Sequence, residues 1–210
     1  MYKENVWDFW AQRYEGLWVQ KFSLGPTRRE IIKYLKKLLK KDKSYRILDM
    51  GCGIGQLLGE IQSQFHGYRI ELMGVDFSKE MIQRAKDRHS DIPYRQMDVK
   101  DIPFLKEPFD IILCTHSFPY YKDQKKALKD FKGLLKEDGY LLLAQASQNT
   151  LYDRAAMFFV KFTTGKAKYP SVKGIFSMTE ELFLCEQVLC IREKFFMPSI
   201  YLFILKGIKL

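Results

Sequence analysis

Three glycines within five positions, in the stretch RILDMGCGIGQLL at residues 46–58, constrain the fold of this chain more than any other feature. Gly51, Gly53 and Gly55 directly follow a short apolar run. Because glycine loses more conformational entropy on folding than any other residue, such a cluster predicts a turn that side chains would obstruct. Two kinds of ligand group would explain such a turn: a pyrophosphate, or the amino-acid and ribose parts of a different cofactor. A tight turn without a ligand is the third interpretation.

Strand-type and helix-type patterns alternate from residue 46 to about residue 144. The run FDIILC is apolar throughout, as is typical of a strand buried on both faces. The predicted strands cover residues 46–50, 69–75, 94–97, 109–114 and 140–146, and the predicted helices cover residues 56–65, 78–88 and 124–139. Ser78 is expected to cap the second helix, and Gly139 is expected to end the third. This rhythm predicts an α/β fold with a doubly wound, mostly parallel sheet.

The two ends of the chain differ from this middle. Residues 187–206 read as two apolar strands joined by a tight Met-Pro-Ser connection, which predicts a C-terminal hairpin with one antiparallel strand. Near the N-terminus, Trp7, Trp10, Tyr14 and Trp18 recur at helical spacing. These aromatic residues precede the first strand, so we expect them to lie over the sheet.

The composition is that of an ordinary folded domain, with 210 residues, of which 47% are apolar and 29% are charged. Cys52, Cys114, Cys185 and Cys190 have neither metal-site nor disulfide spacing, so free thiols in a reducing compartment are expected. The sequence has no signal-peptide pattern and no apolar run of the ~20 residues that cross a bilayer. These features predict a cytoplasmic protein without a transmembrane segment.

The formal net charge is +10, and much of the excess lies in KYLKKLLKKDK at residues 33–43. Ile31, Leu35 and Leu39 fall at helical spacing between the lysines, which predicts an amphipathic helix whose lysines face water. Contact with RNA or with an acidic lipid surface is the alternative that a basic charge leaves open.

The spacing of the glycines separates the two ligand hypotheses. A dinucleotide-binding turn follows the pattern GxGxxG, but Gln56 or Leu58 stands where its third glycine is required. Asp49 would repel a pyrophosphate, whereas it can pair with a positively charged amine. Asp76 ends the second strand, where a carboxylate can accept both ribose hydroxyls, and Asp98 follows the third, where it can accept from an adenine amino group. Together these residues predict one ligand-binding crevice.

On these motifs, from about Ile47 to Ala144, the sequence resembles the class I S-adenosylmethionine-dependent methyltransferases. LDMGCGIG, the S-x-x-M after Asp76 and LLKEDGYLLLA look most like the small-molecule branch that includes quinone and sterol methyltransferases. The resemblance implies a Rossmann-like seven-stranded sheet, S-adenosyl-L-methionine as cofactor, and methyl transfer by in-line displacement. At residues 136–139 the sequence departs from the family, which usually has a basic residue, proline and two glycines there.

The resemblance also implies roles for individual residues. The glycine turn would hold the methionine part of the cofactor, Asp76 would take the ribose hydroxyls, and an N-terminal helix with Tyr14 would cover the cofactor. The adenine would pack between Phe77 and Met81 on one side and residues 97–99 on the other. The full cofactor-binding set is Tyr14, Asp49, Gly51, Cys52, Gly53, Gly55, Asp76, Phe77, Met81, Met97, Asp98, Val99 and Cys114.

The run CTHSFPYY after the fourth strand bears on the methyl acceptor. It lacks the Asn/Asp-Pro-Pro-aromatic sequence found in family members that methylate exocyclic amines of nucleic-acid bases. His116 is the obvious general base at the end of a strand and is the predicted catalytic residue, against a purely structural role. No metal-ligand spacing is present, so no metal is expected. Tyr120, Tyr121 and the apolar segment 152–162 predict a pocket for a small, partly hydrophobic acceptor.

The chain is predicted to form one methyltransferase domain. Its parts are an N-terminal helical cap at 1–44, a cofactor-binding core at 45–146, a substrate-covering insertion at 147–178, and a C-terminal helix and β-hairpin at 179–210. The expected partner is a small-molecule acceptor, with nucleic acid less favoured, in a monomer or homodimer. An RNA- or protein-directed methyltransferase and a non-catalytic cofactor-binding protein on the same fold stay open as alternatives.

Overall fold

The computed structural model describes residues 4–11, 20–150, 153, 167–193 and 198–208. The strands are β1 (Ser44–Met50), β2 (Arg69–Asp76), β3 (Tyr94–Gln96), β4 (Phe109–Thr115), β5 (Leu135–Ala146), β6 (Phe183–Ile191) and β7 (Ile200–Gly207). The α-helices are α1 (Glu4–Ala11), α2 (Gly25–Leu38), α3 (Gln56–Gln64), α4 (Lys79–Arg88), α5 (Gln124–Leu134) and α6 (Val172–Thr179). Shorter helical turns are a π-helical turn at Gln20–Leu24 and 3₁₀ turns at Val99–Phe104 and Phe118–Tyr120.

The strands of the described residues form one seven-stranded sheet with the order β3-β2-β1-β4-β5-β7-β6. The first five strands pair in parallel, and β7 runs antiparallel between β5 and β6. The predicted fold class, a doubly wound α/β sheet with a C-terminal antiparallel strand, is confirmed. The strand order reverses between β1 and β4, and in such sheets ligands bind in the crevice at the carboxyl ends of the strands at this reversal.

Two apolar layers cover the two faces of the sheet. Ile47 and Leu48, neighbours in β1, are both 0% exposed, and they face opposite layers. Helices α2, α3 and α4 pack on the Ile47 side, whereas α5 and α6 pack on the Leu48 side. Each large aliphatic side chain buried in this way stabilises the fold by ~1.5–3 kcal/mol. Burial on both faces explains why β4 is an unbroken apolar run.

Helix α2 has the amphipathic face that the sequence predicts. Ile31, Ile32 and Leu35 are buried, whereas Lys36 and Lys37 are exposed. A proline in its first turn provides a favourable start, because its missing N–H has no partner to lose there. The helix therefore packs on the sheet through its apolar stripe and presents its lysines to solvent.

The helix predicted for residues 124–139 ends earlier, at Leu134. Leu135 is already extended, with φ −79° and ψ 139°, and it pairs with Phe109 on β4. Gly139 lies within β5, where a Cβ atom would come within 2.9 Å of the Lys136 carbonyl oxygen, so close backbone packing requires glycine here. The prediction that Gly139 ends the helix was wrong, because strand pairing at Leu135 stops the helix first.

The connection between the two strands of the C-terminal hairpin is longer than predicted. β6 ends at Ile191 and β7 begins at Ile200, so more than the three residues Met-Pro-Ser separate them. Met197 lies outside the described residues. The prediction of a tight connection was therefore wrong, although the antiparallel pairing of the two strands is as expected.

The N-terminal helix α1 lies at the carboxyl edge of the sheet. Ala11 is 2% exposed and packs in a small apolar cluster with Ile54 and Met81. Asp8 accepts a hydrogen bond from the Ser78 hydroxyl, which follows β2. The side chain of Trp10, and Tyr14 and Trp18 as a whole, lie outside the described residues.

All four cysteines are free thiols. In the described part of the chain, none of the helices combines the length and the apolar character that a membrane crossing requires.

Candidate functional site

The turn after β1 has the unusual backbone that its glycines predict. Gly51, Gly53 and Gly55 have φ angles of 80°, 54° and 77°, all in the left-handed region that favours glycine. The N–H of Gly51 donates to the carbonyl of Val75 at 2.7 Å, and the N–H of Gly53 donates to the Asp76 carboxylate at 2.9 Å. The turn is therefore fixed to the end of β2.

Two of these glycines are also required by the packing of the protein itself. A Cβ atom at Gly51 would lie 2.4 Å from the Cβ atom of Ser117, in the loop after β4. At Gly55 it would lie 2.5 Å from the hydroxyl oxygen of Tyr94. Since the fold already accounts for these glycines, the case for a ligand depends on the side chains around the turn.

Asp49, near the end of β1, has an unpartnered carboxyl oxygen. The residue is 1% exposed, and its Oδ1 has no hydrogen-bond partner among the residues that the structure describes. Burial, together with the nearby charge of Asp76, raises the pKa of Asp49 from 3.8 to about 7. Because an unpaired buried carboxylate is strongly unfavourable, this position favours a ligand that brings a positive charge.

Asp76, at the end of β2, is buried but well partnered. Its two carboxyl oxygens accept the backbone N–H groups of Gly53 and Ser78, each at 2.9 Å. Burial raises the pKa of Asp76 to about 6, and these hydrogen bonds oppose that rise. Asp76 thus ties the turn after β1 to the turn after β2, and each oxygen has a second lone pair that could accept from a ligand hydroxyl.

A cavity of about 40 Å³ lies at the carboxyl ends of β1 and β4. Four predicted site residues line it together: Asp49, Gly51, Cys52 and His116. The remaining lining residues are Leu24, Thr27, Arg28, Ile54, Gln56, Leu57 and Thr115. A larger and shallower groove of about 350 Å³ beside His89 contains none of the predicted site residues. The smaller cavity, at the reversal of the strand order, is therefore the candidate site.

Arg28, on α2, brings a positive charge to this cavity. Its Nε donates to Glu60 at 2.7 Å, and its Nη1 donates to Gln20 at 3.0 Å and to Gln56 at 3.3 Å. Its side chain is only 17% exposed. The cavity is consequently lined by an acidic residue, Asp49, and by a basic residue, Arg28, whose side chain is held in place by three hydrogen-bond partners.

His116 follows β4 with a left-handed backbone, φ 59°. Its N–H donates to the carbonyl of Ala144 on β5 at 2.7 Å, so the strand ladder continues to this residue. Neighbouring residues of a regular strand face opposite sides, yet Thr115 and His116 both line the cavity. The positive φ breaks this alternation, at a strain on the order of 1 kcal/mol.

The hydrogen bonds of His116 assign its tautomer. Its Nε2 lies 3.0 Å from the hydroxyl oxygen of Thr27, and that hydroxyl donates its hydrogen to the carbonyl of Ser23 at 2.9 Å. Since the hydroxyl has only one hydrogen, Nε2 must donate to it, which leaves the lone pair on Nδ1. Burial, with the nearby charge of Arg28, lowers the pKa of His116 from 6.5 to about 4. The imidazole is therefore neutral at pH 7.

The residues predicted to surround an adenine lie in different environments. Met81 is 2% exposed and packs under the N-terminal helix, and Phe77 is half-buried. Met97 and Val99 pack partly against the apolar layer that contains α5. Asp98 is exposed, and its carboxylate accepts the backbone N–H two residues later at 3.2 Å. Phe77, Met97, Asp98 and Val99 thus retain exposed surface, whereas Met81 is covered.

Cys114 contributes to a small polar network behind the site. Its Sγ lies 3.3 Å from the hydroxyl oxygen of Ser117 and 3.7 Å from that of Tyr121. The Ser117 hydroxyl donates to the carbonyl of Met50 at 2.9 Å, so the network fastens the loop after β4 to the end of β1. The hydroxyl of Tyr121 is engaged here rather than in a pocket. Tyr14 lies outside the described residues.

Thr27 and Arg28 are site residues that the sequence did not reveal. The sequence Gly-Pro-Thr does signal the start of a helix. However, the contact between Thr27 and His116 spans 89 residues of sequence, and no local pattern reports it.

A family profile described as "Methyltransferase domain" matches residues 48–143 of the chain. A ubiquinone/menaquinone biosynthesis C-methyltransferase UbiE of Citrifermentans bemidjiense is 30% identical over 176 residues, which cover 80% of this chain and 71% of that protein. The uncharacterized methyltransferase YcgJ of Bacillus subtilis is 32% identical over 104 residues, 47% of this chain. That match spans only 40% of the length of YcgJ.

Solved structures agree with the fold. The methyltransferase in a complex with the Haloferax volcanii Trm112 methyltransferase activator superimposes with a TM-score of 0.76, covering 97% of this chain and 98% of that one. Its sequence identity is 16%, so this likeness concerns the fold alone.

Proposed function

Because the chain belongs to the class I S-adenosylmethionine-dependent methyltransferases, in their quinone methyltransferase-like branch, we propose that it transfers a methyl group to a small, partly hydrophobic acceptor. S-adenosylmethionine is the cofactor of this family and of this chain. The acceptor is inferred from the branch to which the relatives belong, and from the aromatic residues near the site.

The side chains that line the candidate cavity are suited to the amino-acid end of this cofactor. That end carries an ammonium group and a carboxylate, and the cavity has Asp49, with its unpartnered carboxyl oxygen, and Arg28 in its lining. We expect Asp49 to pair with the ammonium group and Arg28 with the carboxylate. The buried and unpartnered oxygen of Asp49 is the observation that carries this proposal, because an ammonium group supplies both the missing hydrogen-bond donor and a counter-charge.

When bound, the cofactor would supply a sulfonium methyl group, which an acceptor nucleophile would attack in line with the C–S bond, so that the thioether leaves as S-adenosylhomocysteine. The protein then has mainly to align the two reactants, which can supply ~7–11 kcal/mol of the acceleration. Asp76 contributes by holding the turns after β1 and β2 together. His116 would accept a proton at Nδ1 from an acceptor that must lose one before it reacts.

Aromatic residues on α1 and after β4 support this choice of acceptor. Trp7 meets Tyr120 edge to face, with ring centroids 5.0 Å apart, and the hydroxyls of Tyr120 and Tyr169 lie 3.1 Å apart. Such surfaces favour a flat, partly apolar acceptor. The predicted covering segment 152–162 lies outside the described residues except for Asp153.

Methyl transfer from radiolabelled S-adenosylmethionine tests the proposal. We expect label in 1,4-naphthoquinone kept reduced, and none in transfer RNA or in a basic protein such as a histone. Label only in RNA or protein would favour the macromolecule-directed alternative. Cofactor binding without transfer to any of these would favour a non-catalytic protein.

A further inference from the structure

A cluster of basic side chains lies at the amino edge of the sheet, where it has no role in the site described above. β1 and β2 begin at this edge and pair there through Ser44 and Arg69. Helix α2 ends nearby, since residues 39–43 connect Leu38 to the start of β1. The cluster, named the basic patch, consists of Lys36, Lys37, Lys40, Lys41, Lys43 and Arg69.

The charges of the basic patch are exposed and largely uncompensated. All six residues are exposed, and none forms an ion pair with another residue that the structure describes. By contrast, Lys33, one turn earlier on α2, pairs with Glu30 at 2.6 Å. Residues 36–43 contain a single acid, Asp42, whose backbone carbonyl accepts a hydrogen bond from Arg69 at 3.4 Å. The patch therefore keeps a strongly positive potential.

The needs of the fold account for only part of this charge. Lys36 and Lys37 lie in the last turn of α2, where cations interact favourably with the helix dipole. Lys40, Lys41 and Lys43 lie beyond the end of the helix. Because like charges at close range repel one another, these additional lysines indicate an anionic partner that offsets the repulsion.

The position of the basic patch separates it from the methyl-transfer site. The patch lies where β1 begins, whereas Asp49 lies near the end of that strand. At about 3.3 Å per residue, β1 places the two regions roughly 20 Å apart. A lipid surface bound to the patch would leave the site facing away from the membrane, although a partly hydrophobic acceptor would come from there. This arrangement disfavours a lipid surface as the partner.

The chemical character of the basic patch narrows the choice further. The large hydrophobic residues exposed in the described part of the chain all lie outside the patch: Phe9, Phe104, Phe176 and Leu184. Protein interfaces have an apolar core that is depleted of lysine, and helices that bind membranes bury an apolar face in the lipid. Clustered lysine and arginine residues on one surface are instead typical of contact with nucleic acid. The patch therefore favours a chain of phosphates.

We propose that the basic patch binds the phosphate backbone of single-stranded nucleic acid, at a surface separate from the methyl-transfer site. Lysines three and four positions apart on a helix lie about 5–6 Å from one another, so a flexible strand can place successive phosphates against them. Such contacts do not read the bases, and they release counterions, so binding is independent of sequence and weakens with salt. The inference does not depend on the identity of the methyl acceptor.

Fluorescence anisotropy of a labelled oligouridylate tests this assignment. If about five phosphates are neutralised, the affinity should fall about a hundredfold between about 50 and 200 mM KCl. No binding at the lower salt concentration, or an affinity that does not change with salt, would overturn the proposal. Vesicles containing phosphatidylglycerol are the competing probe. If they displaced the oligouridylate at equal phosphate concentration, an anionic lipid surface would be the partner, and the proposal would be wrong.

Two triple variants with the same loss of charge locate the binding surface. The patch variant combines Lys36→Gln, Lys40→Gln and Lys43→Gln. It should bind the oligouridylate more than tenfold more weakly, and the slope of its salt dependence should fall by about two. The control variant, at exposed positions in or just before α5 on the opposite face of the sheet, combines Lys122→Gln, Lys125→Gln and Lys129→Gln. It should bind within about threefold of the wild type.

Equal losses in the two variants would show that overall charge attracts the strand, and would contradict a defined surface. If the patch variant fails to fold, Lys40→Gln with Lys43→Gln repeats the test, because both residues lie outside α2. This pair should weaken binding at least about fivefold. Wild-type affinity in the pair would equally contradict the proposal.

Binding of S-adenosylmethionine by the same samples separates this inference from the proposed function. The patch variant should bind the cofactor like the wild type, and Asp49→Asn should bind the oligouridylate like the wild type. Loss of oligouridylate binding in Asp49→Asn would place the strand at the cofactor cavity and overturn the assignment to the patch. Absence of methyl transfer to a small acceptor would contradict the proposed function alone.

Discussion

Asp153 and Asp49 both carry buried carboxyl groups at the carboxyl edge of the sheet, and their surroundings differ. Asp153, close to the ends of β5 and β7, is 0% exposed and accepts the N–H groups of Ser199 at 3.2 Å and Thr150 at 3.0 Å. Burial raises its pKa, but these hydrogen bonds outweigh burial, and the pKa of Asp153 lies below its ordinary value. Asp49 is equally buried, has an oxygen without a partner, and has a raised pKa.

This difference separates a structural acid from a ligand-binding acid. Asp153 has its partners within the chain, so the fold needs its charge. Asp49 lacks such a partner, so the folded protein without ligand disfavours its charge. The comparison predicts that neutralising Asp153 damages the fold, whereas neutralising Asp49 damages binding.

The largest expected effect is on Asp153. Asp153→Asn should lower the free energy of unfolding by about 3 kcal/mol at pH 7, because an amide cannot accept from both N–H groups and loses the charge near Arg192. Urea denaturation measures this change. The control is Asp130→Asn, which loses only a helix-surface pair with Lys126 and should cost about 0.5 kcal/mol. Equal losses in the two variants would remove the distinction between the regions.

The next effect concerns the affinity for the cofactor. Asp49→Asn should bind S-adenosylmethionine about 30-fold more weakly, equivalent to about 2 kcal/mol, because the ammonium group loses its counter-charge. Titration calorimetry measures the affinity, and Asp91→Asn, at an exposed position, should bind like the wild type. Unchanged affinity in Asp49→Asn would contradict the role of this acid.

The same acid also changes the pH dependence of stability. The pKa of Asp49 is 3.8 ordinarily and about 7 in the folded protein, so the unfolded chain loses this proton first as the pH rises. The carboxyl therefore destabilises the wild type progressively as the pH rises from about 4 to about 7, and Asp49→Asn escapes this loss. The variant should gain up to about 1.4 kcal/mol per pH unit relative to the wild type over this interval. His116, whose pKa is lowered, has the opposite influence but acts in both proteins. A difference that is constant with pH would disprove the raised pKa.

The smallest effect concerns the backbone at His116. His116→Asn should be about 1 kcal/mol more stable than His116→Val, because asparagine tolerates a φ of 59° better than a β-branched residue. Both variants lose the contact with Thr27, so they form a matched pair. Equal unfolding free energies in urea would indicate that the loop relaxes to another backbone.

Local patterns were sufficient to predict most of the fold. The apolar run of β4 and the apolar stripe of α2 could be predicted because the buried positions of each element are hydrophobic. The N-cap at Ser78 was predicted from residue type, and its hydroxyl does accept the N–H of Met81 at 3.1 Å. The end of α5 was not predicted correctly. Gly139 is a strong local signal for the end of a helix, whereas the pairing of Leu135 with Phe109 depends on a residue distant in the sequence.

The site was predictable only in part. Asp49 and the glycines stand in one short motif, so their proximity follows from the sequence. Arg28 reaches the site through the packing of α2, which no short pattern encodes. The lack of a hydrogen-bond partner for Asp49 Oδ1 is likewise a property of the whole fold, because it depends on where every neighbouring donor group lies.

The most direct test of the central claim is the proton balance of cofactor binding at pH 6. Calorimetric titration with S-adenosylmethionine in two buffers of different ionisation enthalpy measures the protons released. Asp49 is largely protonated at this pH and must ionise to pair with the ammonium group, so binding should release up to about one proton. Asp49→Asn should release fewer protons, by up to about one, because Asp76, with a pKa of about 6, titrates in both proteins. No release from the wild type, or the same release from the variant, would contradict the assignment of Asp49 as the acid that holds the cofactor.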